Sequence, residues 1–102
     1  MVVILYRWRI KQGFEEQFIS AWAEITGYIL ENHDSLGSRL HLDKDGIYYG
    51  YAQWKSLEQR ESAFAVMPVT ESVKKMREAI LESFPEVVLN PVSDFLILPE
   101  KT

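Results

Sequence analysis

The sequence predicts a single α+β domain of the ferredoxin-like plan, a four-stranded antiparallel sheet with helices on one face. Three observations carry that expectation. Strand-like and helix-like segments follow one another in the order β-α-β-β-α-β. The 102 residues suffice for one domain and not for two, so residues 1–102 form one unit. With 47% hydrophobic and 25% charged residues, the chain has the make-up of an ordinary globular protein.

Residues 2–10, VVILYRWRI, are rich in β-branched and aromatic side chains and read as a strand, which Lys11-Gln12-Gly13 breaks. From Phe14 the apolar residues fall at Phe18, Ala21, Trp22, Ile25, Tyr28 and Ile29. Spacings of three and four mark one stripe of a helix, which should run to about Asn32. His33-Asp34-Ser35 reads as a loop. It names three triad residue types, but neighbours in sequence cannot converge in space as a triad must.

Residues 36–43 form a second strand, Asp43-Lys44-Asp45-Gly46 a hairpin turn, and residues 47–55 a third strand. The turn faintly echoes a calcium loop but lacks the late bidentate glutamate. Ser56-Leu57-Glu58-Gln59 fits a capping box and starts a helix that should end near Val66, before Pro68. A further helix puts Val69, Val73, Met76, Ile80 and Phe84 on one face, and Pro85 ends it. Residues 87–98 form the last strand, confined to an edge or interrupted by Pro91.

The strands are apolar at consecutive positions: VVIL, IYYGYA and FLIL. Consecutive residues point to opposite faces, so both faces of the sheet call for cover. Helices supply it on one side only. A second copy of the same sheet is the economical partner, in a twofold homodimer. Alternation sends Tyr49 and Tyr51 one way, and Tyr48 and Trp54 the other. We therefore expect Tyr49 and Tyr51, with Arg7 and Arg9, in the sheet-to-sheet interface, and Trp54 under the helices. Arg7 and Arg9 could also meet Asp94 or a partner carboxylate.

The bulk properties exclude several classes. A net charge of −4 opposes any sequence-independent grip on nucleic acid or anionic membrane. The absence of cysteine removes disulfides, zinc-thiolate sites and a cysteine nucleophile. The apolar run at the N-terminus is short for a signal peptide and lacks a leading positive region, which predicts a soluble, cytoplasmic protein. The glutamates at 15, 16, 58, 61, 71, 78 and 82 suit solvated helix faces, and no metal site is expected.

The stretches YRWRIKQGFEEQFISAW, LGSRLHLDKDGIYYGYAQW and QWKS before a capped helix together resemble the antibiotic biosynthesis monooxygenase family, of the dimeric α+β barrel type. The resemblance spans about residues 3–98. It implies a homodimer with a cavity in each subunit between sheet and helices. In some members that cavity oxidises polycyclic aromatic phenols with molecular oxygen and no cofactor. Haem-degrading members use an asparagine, a tryptophan and a histidine where this chain has Tyr6, Ala63 and Val73, and no histidine follows His41. The resemblance therefore points away from haem.

The RNA recognition motif shares the element order, and Tyr49-Gly50-Tyr51-Ala52-Gln53-Trp54 fits the last six positions of its third-strand pattern. Ile47 and Tyr48 stand where that pattern needs a cation and glycine, and the net charge has the wrong sign. No nucleic-acid partner is expected.

Ile4, Tyr6, Trp8 and Ile10 share one face of the first strand, and the resemblance places that face in the cavity. Tyrosine and tryptophan pair a flat apolar surface with one donor, which suits a planar ligand and equally suits core packing. His41 and Arg39 share a face of the second strand. Histidine could take a phenolic proton near neutral pH and arginine could hold the resulting anion. The same pair would also protect a sheet edge. The candidate catalytic residues are thus Tyr6, Trp8, His41 and Trp54. Arg39, Trp22, Phe64, Met67 and Met76 are the candidates for binding a small aromatic molecule. Two functions follow as expectations: a cofactor-independent monooxygenase, or a dimer that binds such a molecule without transforming it.

Overall fold

The computed structural model describes residues 1–99. Its elements are β1 (Val2–Ile10), α1 (Glu15–Asn32), β2 (Ser38–Leu42), β3 (Ile47–Trp54), α2 (Leu57–Val66), α3 (Glu71–Ala79), β4 (Ile80–Ser83) and β5 (Val87–Leu89). The fold class is the α+β arrangement that the sequence predicts. The sheet is antiparallel throughout, in the order β2-β3-β1-β4, and β5 also pairs with β1.

Two elements near the C-terminal end differ from expectation. The predicted helix from Val69 to Phe84 stops at Ala79, and Ile80–Ser83 turn into a strand. The free edge of β1 is the reason. Trp8 pairs with Ser83, Arg9 with Glu82 and Ile10 with Ile80, and Lys11 N–H donates to the Ala79 carbonyl at 2.9 Å. A ladder with a central strand outweighs the modest helix propensity of one more turn. The predicted strand 87–98 is formed only at Val87–Leu89, which pair with Leu5, Ile4 and Val3. Asn90-Pro91 then carry the chain off the ladder. β4 and β5 thus share the single flank of β1 that a continuous fourth strand would fill, giving five strands rather than four.

The remaining elements form for the reasons the sequence gives. Ser56 Oγ accepts the Gln59 N–H at 3.1 Å, the forward half of a capping box, while Gln59 Oε1 accepts the N–H of Lys55, one residue before the cap, at 3.0 Å, and together they start α2. In the β2–β3 turn, Asp43 Oδ1 accepts the N–H groups of Asp45 and Ile47. Gly46 takes the positive φ of 83° that the turn requires.

The core lies on one side of the sheet. Val2, Ile4, Tyr6, Trp8 and Ile10 of β1 meet Tyr48, Ala52 and Trp54 of β3, with Leu40 of β2 beside them. The helices close that side with Phe18, Trp22 and Ile29 of α1, Ala63 of α2, and Met76 and Ala79 of α3. Arg7, Tyr49, Tyr51, Arg39 and His41 project from the other face, as their pairing shows: Arg7 opposite Tyr49, His41 opposite Tyr49, Arg39 opposite Tyr51. No helix among the described residues is long and apolar enough to cross a membrane.

Candidate functional site

Alternation along β1 brings Tyr6 and Trp8 to the helix-covered face two residues apart. Their rings stack, with centroids 5.5 Å apart and planes within 3°. Stacking needs room across the ladder, where Gly50 of β3 stands opposite Tyr6. A Cβ on Gly50 would lie 2.9 Å from Cη2 and 3.1 Å from Cζ3 of Trp8. The missing side chain is what lets the indole lie across the sheet. Phe18 of α1 meets Trp8 edge-on at 5.3 Å, and Tyr48 does the same to Phe18. At the other end of the site, Phe64 of α2 stands perpendicular to Trp54 at 5.9 Å.

Between these two aromatic groups lies a cavity of about 220 Å³ bounded by α1 and the sheet. Its apolar wall includes Tyr6, Trp8, Trp22, Ile25, Ile29, Ala52, Trp54, Phe64 and Met76. The polar side chains on the wall besides Tyr6 and the three indoles are Thr26, Ser35, Ser38 and Gln53, all uncharged. The volume falls below the roughly 300–1,000 Å³ of a drug-sized site, which restricts an occupant to a few fused rings.

Tyr6 is the polar group with the most developed surroundings. Its hydroxyl oxygen accepts a hydrogen bond from Arg60 Nε at 3.1 Å. Arg60 in turn forms an ion pair with Glu86, which leads into β5. The Arg60 guanidinium lies 4.9 Å from the Phe64 ring centroid and 5.6 Å from that of Tyr6. Burial raises the pKa of Tyr6, and the adjacent Arg60 charge offsets that only in part. Tyr6 is therefore a neutral phenol throughout the neutral range.

Of the candidate residues, the structure gathers Tyr6, Trp8, Trp22, Trp54, Phe64 and Met76 around one cavity. Met67 is elsewhere, in a shallow groove with Glu24, Tyr28 and Val73, because it follows the last turn of α2. His41 and Arg39 are exposed on the opposite face of the edge strand β2 and are not among the residues that wall this cavity. The turn at Asp43–Gly46 pairs Leu42 with Tyr48, which fixes His41 against Tyr49 and sends both away from the helices. The expected partners of Arg7 and Arg9 also change. Arg9 lies 3.9 Å from Glu82, while Arg7 donates to the Pro85 carbonyl and covers the Phe84 ring at 5.5 Å.

Gly50 and Arg60 shape the site and were not singled out from the sequence. Gly50 carried a signal, since an isolated glycine inside a strand marks a close approach. Arg60 carried a fainter one. It lies three and four residues before Ala63 and Phe64, which puts a cation on the inward stripe of α2. Among the described residues, no cluster of histidine and carboxylate side chains could hold a metal ion.

No protein-family model matches the chain, and no curated protein matches it in sequence. Solved structures do. SnoaB, a cofactor-independent oxygenase from Streptomyces nogalater, superposes with a TM-score of 0.77 at 16% identity, over 92% of this chain and 95% of that one. A Deinococcus radiodurans protein provisionally named an antibiotic biosynthesis monooxygenase gives 0.75 at 12% identity, over 97% and 100% of the two chains. A provisionally named counterpart from Bordetella bronchiseptica gives 0.77 at 16% identity, over 90% and 97%. The chain has the fold of these structures along nearly its whole length.

Proposed function

We propose that this chain is a small cofactor-independent oxygenase of the antibiotic biosynthesis monooxygenase kind, acting on a compact, planar phenol or anthrone-like compound. The carrying observation is the cavity between sheet and helices, walled by Tyr6, Trp8, Trp22 and Trp54, with the partly buried Tyr6 phenol among mostly apolar surfaces. Flat aromatic walls and a phenol donor held by Arg60 suit a flat aromatic ligand with an oxygen to hold. The shared fold with SnoaB supports the reaction class.

The chemistry consistent with this wall assigns the protein a limited part. A substrate with an acidic CH₂ beside a conjugated carbonyl gives up a proton to solvent as it enters, and the carbanion passes one electron to O₂. The carbon radical and superoxide combine to a peroxide anion, which takes a proton back and loses water to leave a new carbonyl. Overall, CH₂ and O₂ become C=O and H₂O. The described cavity wall holds no carboxylate or imidazole, so the substrate's own acidity supplies the carbanion. The protein contributes placement, exclusion of water and a donor for the oxyanion.

That same lack of a base favours a second reading, in which the cavity binds such a molecule without transforming it. Oxygen uptake with an anthrone separates the two. Turnover above the uncatalysed rate, slowed by Tyr6→Phe and unchanged by His41→Ala, supports the oxygenase. Saturable quenching of tryptophan fluorescence with no extra oxygen uptake supports binding alone.

We further propose that the open sheet face is covered by a second copy of the chain. Tyr51, Leu89, Phe95 and Leu96 edge an apolar depression there, and Phe95 is 93% exposed in the single chain. Patches of this kind are seldom left bare. Light scattering at micromolar concentration should give twice the protomer mass, and Tyr51→Glu with Phe95→Glu should halve it. A wild-type protomer mass would overturn the dimer.

A further inference from the structure

The hydrogen bond at Tyr6 has a direction that chemistry fixes. Arg60 Nε and Tyr6 Oη are 3.1 Å apart. A guanidinium has five N–H donors and no acceptor, and it stays protonated at any pH in which a protein is folded. The shared hydrogen therefore belongs to Arg60. One lone pair of the phenol is occupied, and its own O–H is left for another acceptor. Among the described residues, Arg60 is the hydrogen-bond partner found for that oxygen. The tyrosine itself lines the cavity.

Arg60 is held firmly in this role. Glu86 pairs with its Nη2, and its planar group is flanked by the Phe64 and Tyr6 rings. Its side chain is 14% exposed, and it does not form part of the cavity wall. It acts on the cavity through Tyr6.

We infer that Arg60 is a positioning residue that fixes Tyr6 as a one-way hydrogen-bond donor, so that the cavity selects planar ligands bearing an acceptor oxygen, a ketone or an enolate, over the bare ring system. The inference rests on the aromatic-cavity reading above and adds the polarity of the ligand to it. An ionised tyrosine would select the opposite class, ligands that donate. The balance of burial against the Arg60 charge keeps the phenol neutral and agrees with a donor. A cation behind the oxygen also polarises the O–H and strengthens what it donates.

Fluorenone and fluorene have the same ring skeleton and differ in one carbonyl oxygen. Their affinities can be read by quenching of Trp8 and Trp54 fluorescence at micromolar ligand. The wild type should bind fluorenone about tenfold more tightly, the worth of one hydrogen bond. Tyr6→Phe should bring the ratio to about one. Arg60→Met, which frees the hydroxyl to rotate, should lower the ratio several-fold. Arg60→Lys should restore most of it, because an ammonium also only donates. Should Arg60→Met fail to fold, Glu86→Gln serves in its place, with a smaller drop in the ratio. Binding of both compounds with equal affinity in the wild type, or a ratio untouched by the Arg60 or Glu86 variants, overturns the inference and leaves the aromatic cavity standing. Binding of neither compound overturns both.

Discussion

Replacing Gly50 with alanine tests the packing on which the cavity is built. The new methyl group would stand 2.9 Å from Trp8 Cη2, 3.1 Å from Trp8 Cζ3 and 3.5 Å from Tyr6 Cβ. Carbon atoms settle at about 3.5–4.0 Å, so the indole edge must withdraw by roughly half an ångström or more. It has little freedom to do so, being 8% exposed, stacked on Tyr6 and met edge-on by Phe18. Forcing an extra methyl into such a site costs about 1–3 kcal/mol. Against this, alanine gains about 0.5–1 kcal/mol over glycine in a strand. The clash wins, for a net loss of about 1–2 kcal/mol. At roughly 4–8 °C per kcal/mol for a domain of this size, Tm should fall by about 5–15 °C. Thermal unfolding of Gly50→Ala, Trp8→Phe and the double variant isolates the cause. A phenyl ring lacks the two atoms that the methyl strikes, so in the Trp8→Phe background the clash should vanish and leave alanine only its backbone gain, a coupling of about 1–3 kcal/mol. An equal penalty in both backgrounds, or a Tm raised by Gly50→Ala alone, would refute the reasoning.

Three other outcomes follow from the hydrogen bonds and titrating groups. Ser56→Ala removes the acceptor for the Gln59 N–H and should cost about 1 kcal/mol in denaturant melts, with the cavity still binding fluorenone. Hydrogen bonds from Ile47 above all, with those from Tyr49 and Asp45, lower the pKa of Asp43. Its contribution is complete above the ordinary aspartate range and is lost as pH falls through the depressed value, so the Tm gap between wild type and Asp43→Ala should be open at pH 7 and narrow on acidification. Tyr6 behaves in the opposite sense, since burial raises its pKa despite Arg60. Its neutral form is common to the folded and unfolded chain below about pH 10, and above that the unfolded chain ionises first. Tyr6→Phe should therefore lose stability less steeply than wild type on the alkaline side, and parallel alkaline limbs would contradict the assignment.

Most of the fold was legible because several independent signals agree in β1, α1, β3 and α2. Strand composition, a stripe of threes and fours, a glycine turn and a capping box all point the same way. The last quarter was not legible, because Ile80–Ser83 satisfy a helical stripe as well as they satisfy an open ladder. Only the edge of β1, a tertiary feature, decides between them. The site was half legible. Tyr6, Trp8 and Trp54 follow from parity along their strands. The face of His41 was left open although the turn decides it: pairing Leu42 with Tyr48 puts His41 with Tyr49, the residue already assigned to the open face. Arg60 was missed because a cation on a helix is ordinarily a solvated group, and what distinguishes it is a contact with a residue 54 positions away.

The flank of β1 shared by β4 and β5 has a bearing on how such a protein could diversify. A continuous strand would commit every residue there to the ladder. The interruption frees the 84–86 connection from that duty, and Glu86 uses the freedom to clasp α2. Lengthening or shortening this connection by a residue would loosen that clasp while leaving every aromatic wall in place. Ligand preference could then drift through a surface bend that the ligand itself never meets.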